Sequence, residues 1–253
     1  ITVMTLPPAY LRALNQAVLK NVRTIITAGD ICNVSDACHY AQSKDFYNAF
    51  GPTEGTVNST LYKVNPSVNY KSIPIGRTGD NKQIYVLNDS LQLQPIGVVG
   101  EICIGGAGLA RGYLNQVDLT KEKFIENPFQ RGARLYKTGD LGRWLLDGNI
   151  EFLGRKDDQV KIRGYRIELG EIEYALQNHK EIESVVVLAK ENQTGEKELV
   201  AYITSKSLQN TSELRSYLKE LLPDYMLPAY YVQLDAFPLN SNGKIERKLL
   251  PDP

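Results

Sequence analysis

The sequence predicts a mixed α/β and α+β protein: a parallel-sheet layer first, then an irregular β-rich section, then a smaller unit with its own helix and strand pattern. Three observations carry this. Residues 1 to 60 alternate β-branched runs with helix-compatible segments. From Pro74 to Gly154 the texture changes to short β runs broken by Gly, Pro and Asn-Asp turns. After Gly154 the most polar stretch, "RKDDQVKIRGYRIELGEIE", precedes a fresh alternation of helix and strand patterns. Alternating strands and helices point to a parallel sheet, because a parallel crossover needs the length a helix supplies.

In the first part, "NVRTIITAGD" has a strand's β-branched run, "VSDACHYAQS" suits a helix opening after Asn33, and "DFYNAFG" is a second strand. The middle part offers "QIYVLND", "GEICIGG" and "RWLLDGNIEFLG" as short strands. In the last part, "ELGEIEYALQNHKEI" places Leu169, Ile172, Ala175 and Leu176 on one helical face. "SVVVLAKE" and "ELVAYITS" predict strands around a turn at Gly195, "TSELRSYLKELLP" a helix capped by Thr211, and "YYVQLDAFP" a last strand. A boundary near Arg155 to Asp158 divides 1–156 from 157–253.

Composition narrows the function. Lys plus Arg and Asp plus Glu each number 29 in 253 residues, so no overall field invites nucleic acid or an acidic membrane surface, and any nucleotide contact must be local. Cys32, Cys38 and Cys103 lack CxxC spacing, and His39 and His179 are the only histidines, which argues against zinc and against a disulfide framework. No apolar run reaches membrane length and no charged-then-apolar leader opens the chain. A cytoplasmic protein with free thiols is expected. The chain opens at Ile1 in mid-pattern with "ITVMTLPPAYLRAL", as a piece of something larger would.

Four clusters carry candidate chemistry. In "YNAFGPTEGTVNST", Gly51-Pro52 after a strand is either a plain turn with Thr53 and Glu54 capping the next element, or the floor of a ligand crevice. In the second case Phe50 offers a flat face to a base, Thr53 a hydroxyl to a phosphate and Glu54 an oxygen to Mg²⁺. "LYKTGDLGRW" sets Asp140 on a Gly turn, where a carboxylate can accept both hydroxyls of a ribose; "FLGRKDDQVKIRG" gathers Arg155, Lys161 and Arg163 with Asp157 and Asp158. "NSNGKIERKLL" presents Lys244 on a Gly turn. Each taken alone is also an ordinary solvated turn. "IGGAGLARG" mimics a dinucleotide fingerprint but lacks the G-x-G-x-x-G helix start and the acidic residue closing a βαβ unit.

Order and wording of the clusters together are more specific. "NAFGPTE", "GEICIGGAGLARGYLN", "YKTGDLGRWLLDGNIEFLGRKDDQVKIRGYRIELGEIE", "LPDYMLP" and "LNSNGKIERKLL" closely resemble the successive core motifs of nonribosomal peptide synthetase adenylation domains, members of the adenylate-forming superfamily with acyl-CoA synthetases and luciferases. The resemblance runs the length of the chain. It implies that 1–156 is the C-terminal part of a large subdomain, a parallel-sheet layer plus a barrel-like β section, and that 157–253 is a small mobile subdomain carrying a catalytic lysine.

The resemblance further implies an enzyme, a ligase that joins an acid to Mg-ATP as an acyl adenylate and passes it to the phosphopantetheine thiol of a carrier domain, with a condensation domain in the same polypeptide. Phe50 would stack on adenine, with Ala28 and Gly29 lining the slot and Asn48, Ala49 and Gly51 beside it. Thr53 would face the α-phosphate, Glu54 would help hold Mg²⁺, and Asp140, Arg155 and Phe152 would surround the ribose, with Lys161 added from the third cluster. Lys244 would bridge the acid carboxylate and the nucleotide, and Asp157 would be the hinge about which the small subdomain turns to bring the Gly164 loop to the site.

The acid pocket implied by the family's specificity positions is Thr5, Ile26, Ala28, Ala49, Val57 and Asn58. It is roomy and mainly apolar, similar to that of phenylalanine-activating domains, which suits a large hydrophobic or aromatic amino acid. Asn58 departs from that pattern and could bond a hydroxyl or amide. The family's phosphate loop, S-G-T-T-G-x-P-K-G, and the aspartate that pairs with the α-amino group are both absent from the sequence, so the chain is expected to be the C-terminal portion of its domain. A stand-alone acyl- or aryl-CoA ligase and a non-catalytic partner-binding module are the alternatives.

Overall fold

The structure is a computed structural model that describes residues 1–13, 19–157, 159–192, 195–240 and 245–253. It divides into two compact units, Ile1–Asp157 and Asp158–Pro253.

The first unit opens with β1 (Val3–Leu6), α1 (Pro8–Ala13), β2 (Thr24–Thr27), α2 (Val34–Ala41) and β3 (Asp45–Phe50). The three strands run parallel, with Thr5 opposite Ile26 and Ile26 opposite Tyr47. Their carboxyl ends therefore share one edge. The α2 helix starts where the sequence placed it, because the Asn33 side chain accepts from the amides of Ser35 and Asp36 at 2.9 and 3.2 Å. Its buried residues Ala37 and Tyr40 pack with Leu11, Ile25 and Phe46, and the Tyr40 hydroxyl donates to the Leu11 carbonyl at 2.9 Å. Phe46 is fully buried; truncating such a ring to alanine costs about 3–5 kcal/mol.

β4 (Thr60–Lys63) and β5 (Arg77–Thr78) extend this sheet antiparallel to β3, in the order β1-β2-β3-β4-β5. A second, antiparallel sheet follows: β6 (Lys82–Leu87), β7 (Gly100–Gly106), α3 (Val117–Lys123), β8 (Phe124–Glu126), β9 (Arg134–Trp144) and β10 (Ile150–Arg155). Its order is β10-β9-β7-β6, with β8 on β9. Among the described residues no ladder joins β10 to β6, so this β section is an open sheet and not a closed barrel. β10 pairs with β9 along one edge and meets the segment before β5 with the other. The Ile75 amide donates to the Ile150 carbonyl at 2.8 Å and the Ile150 amide to Gly76 at 2.9 Å. Gly76 is required at this crossing, since at φ +88 a Cβ would stand 2.0 Å from the Leu61 carbonyl oxygen.

The second unit begins with the hairpin β11 (Val160–Ile162) and β12 (Tyr165–Ile167). Its two-residue turn, Arg163 at φ 52 and Gly164 at φ 82, has the left-handed pair that a type I′ hairpin needs. Then come α4 (Leu169–Gln177), β13 (Ser184–Glu191), β14 (Lys197–Thr204), α5 (Thr211–Leu221) and β15 (Tyr230–Gln233). β14 is central, antiparallel to β13 and parallel to β15. Its side chains alternate: Leu199, Ala201 and Ile203 join α4 and α5 in one core, while Val200 and Tyr202 pack with Leu250 on the other face. The four apolar residues predicted for α4 are its buried face. The cap of α5 is corrected from Thr211 to Asn210, whose side chain accepts from Ser212 N at 2.9 Å. Both residue types cap helices, and the chain begins its turn one residue earlier.

Candidate functional site

At the end of β3 the sheet edge opens onto the segment Gly51–Ser59. Gly51 has to be glycine, because a Cβ would lie 2.4 Å from the Val57 carbonyl oxygen and 2.7 Å from the Ser59 amide nitrogen. The chain makes one 3₁₀ turn at Thr53–Gly55 and then holds Thr56 and Val57 in succession at φ 59 and φ 60. Left-handed backbone costs about 1–2 kcal/mol per residue, more for β-branched side chains. The segment is closed by the Ser59 amide, which donates to the Phe50 carbonyl at 2.7 Å. The capping role considered for Thr53 and Glu54 is not what they do: the turn starts at Pro52 without a side-chain cap.

Glu54 is 7% exposed and accepts from the Tyr113 hydroxyl at 2.6 Å; that hydroxyl lies 3.3 Å from Tyr136 Oη. Burial first, then the bond to Glu54, pushes the Tyr113 phenol well above its ordinary range, so it remains a donor. Thr53 is exposed. The Phe50 ring, buried, lies 6.1 Å centroid to centroid from Phe152 on β10 at 38°. The Asn48 side-chain amide donates to the Pro74 carbonyl at 2.9 Å and so ties β3 to the crossing at Ile75. Ala28 and Gly29 follow β2 directly, Gly29 turning the chain at φ +93.

A second group sits where β9 and β10 pair Asp140 with Arg155. Arg155 Nη1 donates to Asp140 Oδ1 at 2.8 Å, and Nε and Nη2 fork onto Asp157 Oδ1 and Oδ2 at 2.6 and 2.7 Å. The side chains of Asp140 and Arg155 are 3% and 10% exposed, so this is a charge pair held out of water and satisfied by geometry. The Asp140 amide is fixed in turn by Thr138 Oγ1 at 2.9 Å, which donates to the Ile102 carbonyl at 2.6 Å. Phe152 and Arg155 stand three residues apart on β10, so the Phe50–Phe152 contact and the Asp140–Arg155 pair share that strand within the first unit.

Around the edge of the parallel strands, Thr5 and Val57 are exposed, Ile26 and Asn58 half-buried and Ala49 buried. The Asn58 Oδ1 atom is buried and accepts no hydrogen bond. Lys161 lies on β11, in register with Arg166, in the second unit. Lys244 lies outside the described residues. Tyr113 was invisible to sequence reasoning: it stands 59 positions from the carboxylate it serves, and only its place after "GLARG" marks it. Among the described residues no group of three or more His, Cys, Asp or Glu could hold a metal. Glu54 does supply one hard carboxylate of the kind that holds Mg²⁺ together with substrate phosphates.

Comparison with known proteins gives independent grounds. The family described as AMP-binding enzyme matches residues 1–114, and AMP-binding enzyme C-terminal domain matches 171–244. Tyrocidine synthase 1 of Brevibacillus parabrevis is 48% identical over 255 residues, covering all of this chain and 23% of the relative. Gramicidin S synthase 1 of Brevibacillus brevis is 46% identical over 253 residues, again covering all of this chain and 23% of the relative. The chain thus spans about a quarter of the length of these two relatives. Among solved structures, holo-PA1221, a nonribosomal peptide synthetase protein containing adenylation and carrier domains bound to a vinylsulfonamide inhibitor, superposes with a TM-score of 0.84 at 30% identity, over 97% of this chain and 44% of that one.

Proposed function

The chain belongs to the AMP-binding enzyme family, and from that premise we propose that it is the C-terminal portion of an amino-acid adenylation domain of a nonribosomal peptide synthetase. It would join a carboxylic acid to ATP as an acyl adenylate, releasing pyrophosphate, and serve transfer of the acyl group to a carrier-domain phosphopantetheine in the cytosol. What supports this reading is the Glu54–Tyr113 bond directly after β3, the contact of the Phe50 and Phe152 rings, and the Asp140–Arg155 pair, whose Arg155 stands three residues along β10 from Phe152. A carboxylate, an aromatic face and a ribose-binding acid are what Mg-ATP requires of a protein.

Phe50 and the Ala28-Gly29 backbone would take adenine, and the Asp140 carboxylate would accept the ribose hydroxyls, its orientation held by Arg155. The Thr53 hydroxyl would donate to the α-phosphate. Glu54, oriented by Tyr113, would hold Mg²⁺, which when bound offsets phosphate charge. Lys244 would neutralise charge between the acid carboxylate and the α-phosphate. The units divide after Asp157, and Asp157 is the proposed hinge for the second unit, which carries the Gly164 turn and Lys161. The acid pocket of Thr5, Ile26, Ala28, Ala49, Val57 and Asn58 suits a large amino acid; the unbonded Asn58 Oδ1 favours an aromatic acid with a donor at its tip. PA1221 contains adenylation and carrier domains, which supports a carrier domain as partner here, and a condensation domain is proposed with it.

The test is acid-dependent ATP–pyrophosphate exchange by the full-length protein across a panel of amino, aryl and acyl acids. Exchange with an aromatic amino acid is expected. Exchange only with acids lacking an α-amino group would move the reading to an acyl or aryl ligase, and no exchange by folded protein would sink it.

A further inference from the structure

The strained segment after β3 turns three carbonyls, those of Gly55, Thr56 and Asn58, toward one point. The ammonium of Lys82, at the start of β6, occupies it. Its Nζ donates to Gly55 O at 2.8 Å, to Thr56 O at 3.0 Å and to Asn58 O at 2.5 Å. A lysine ammonium has three N–H donors, so these carbonyls take its whole capacity. Burial lowers the Lys82 pKa, because a partly dry place disfavours the charged ammonium.

The convergence follows from the backbone. With Thr56 and Val57 both left-handed, successive peptide units turn their oxygens inward instead of along a strand, and such a cup of carbonyls needs a cation or water to be stable away from solvent. The "GGAGLARG" loop forms the other wall. The Thr56 hydroxyl donates to Gly108 O at 2.6 Å, and the Ala110 amide donates to Glu54 O at 2.8 Å. Gly108 leaves room for the lysine stem: a Cβ there would be 2.9 Å from Lys82 Cε and 3.3 Å from Gly55 O.

We propose that Lys82 is a positioning residue for both substrates, pinning the segment that presents Thr53 and Glu54 to the nucleotide and Val57 and Asn58 to the acid. The proposal rests on the adenylation reading of this site. Lys82 touches no reacting atom; it acts through the backbone of the segment it holds. One ammonium fixes the two sides together, so releasing it loosens both.

The experiment compares the full-length protein with its Lys82→Met variant, which keeps the stem and removes the donors, and with Lys82→Arg, whose planar fork cannot aim three donors at one point. In hydrogen exchange, the peptide spanning residues 51–60 of Lys82→Met is expected to exchange about tenfold faster, with β1 and β2 unchanged. In pyrophosphate exchange, KM for ATP and KM for the acid are expected to rise together, each at least about fivefold, with Lys82→Arg between the other two. If Lys82→Met does not fold, Lys82→Arg carries the test with a rise of about threefold in both readouts. Unchanged protection of residues 51–60 overturns the proposal. So does a loss that appears only in kcat, in step with a lower Tm, because that is the pattern of a generally weakened fold. If the unmodified protein exchanges pyrophosphate with no acid, the adenylation reading falls, while the hydrogen-exchange result still decides whether Lys82 pins the segment.

Discussion

Gly139 has no side chain at the place where Arg155 lies: at φ +75, a Cβ on Gly139 would stand 2.6 Å from Arg155 Nη2 and 2.7 Å from Asp157 Oδ2. The guanidinium that orients Asp140 therefore rests on bare backbone. Gly139→Ala combines left-handed strain of about 1–2 kcal/mol with displacement of a buried, forked ion pair. Urea unfolding is expected to show a loss of roughly 2–4 kcal/mol, and KM for ATP is expected to rise at least about tenfold while KM for the acid changes little. Equal rises in both would show that the Asp140 group does not serve the nucleotide alone.

The Tyr113–Glu54 bond makes a different demand. Tyr113→Phe leaves a buried carboxylate short of a donor, a loss of about 1–3 kcal/mol. Burial, and then the Glu54 bond, raise the folded phenol pKa above its ordinary 10.0. The bond's contribution is therefore complete below pH 10 and is lost only as pH climbs toward the folded value. The stability difference between parent and Tyr113→Phe should be the same at pH 7 and pH 9.5. Above pH 10, where the unfolded phenol ionises and the folded one does not, the difference should shrink; a difference that stays constant there would show that the folded phenol is not raised and undo this account.

Local physics explains which parts of this site the sequence disclosed. The α4 face at Leu169, Ile172, Ala175 and Leu176 was legible because helical periodicity is written in neighbouring residues. The β3 strand and the Gly-Pro after it were legible for the same reason. Tyr113 and Lys82 were not, since each acts across the fold, on partners 59 and 24–27 positions away. β11 and β12 hid in the most polar stretch because a short hairpin set by its Arg163-Gly164 turn needs little apolar alternation. Asn48 sat inside a recognisable motif, yet its amide holds the 73–74 backbone, a use that depends on a chain crossing no local pattern encodes.

Asn58 offers a test of substrate class. A buried carbonyl oxygen without a donor is a standing cost of about 1–3 kcal/mol. Asn58→Val should raise stability by roughly 1 kcal/mol and, where the acid's tip donates to that oxygen, should lower the preference for a hydroxyl- or amide-tipped acid over its apolar counterpart by about tenfold. Competitive exchange with tyrosine and phenylalanine measures the ratio. An unchanged ratio would remove Asn58 from the acid pocket.

Lys244 can be tested by chemistry alone. From its place on the "NSNGKIERKLL" motif we propose that it neutralises charge as the adenylate forms, where loss of one strong contact is worth about 3 kcal/mol. Lys244→Ala in the full-length protein should lower the kcat of pyrophosphate exchange by about a hundredfold or more, with melting and ATP binding nearly unchanged. Near-normal exchange would end its catalytic assignment.

The two buried thiols predict how the fold answers to alkali. Burial, then neighbouring Asp36 for Cys32 and Glu101 for Cys103, pushes both from the ordinary 9.0 to about 12. The folded state thus holds these protons more tightly than the unfolded chain. Their contribution is whole below pH 9 and drains away as pH rises toward 12, at a slope of about 1.4 kcal/mol per pH unit for each thiol. In the parent protein, stability should fall over this window, and Cys103→Ala should fall less steeply by about one thiol's share, every other titrating group being common to both. The same burial keeps both thiols from the thiolate form at pH 8, where a pKa of 12 leaves about one part in 10⁴ ionised. A disulfide-exchange reagent at pH 8 should therefore find Cys32 and Cys103 inert until denaturant is added. Prompt reaction of Cys103 in the folded protein, or parallel stability curves for parent and variant, would show that β7 opens far more readily than its burial implies.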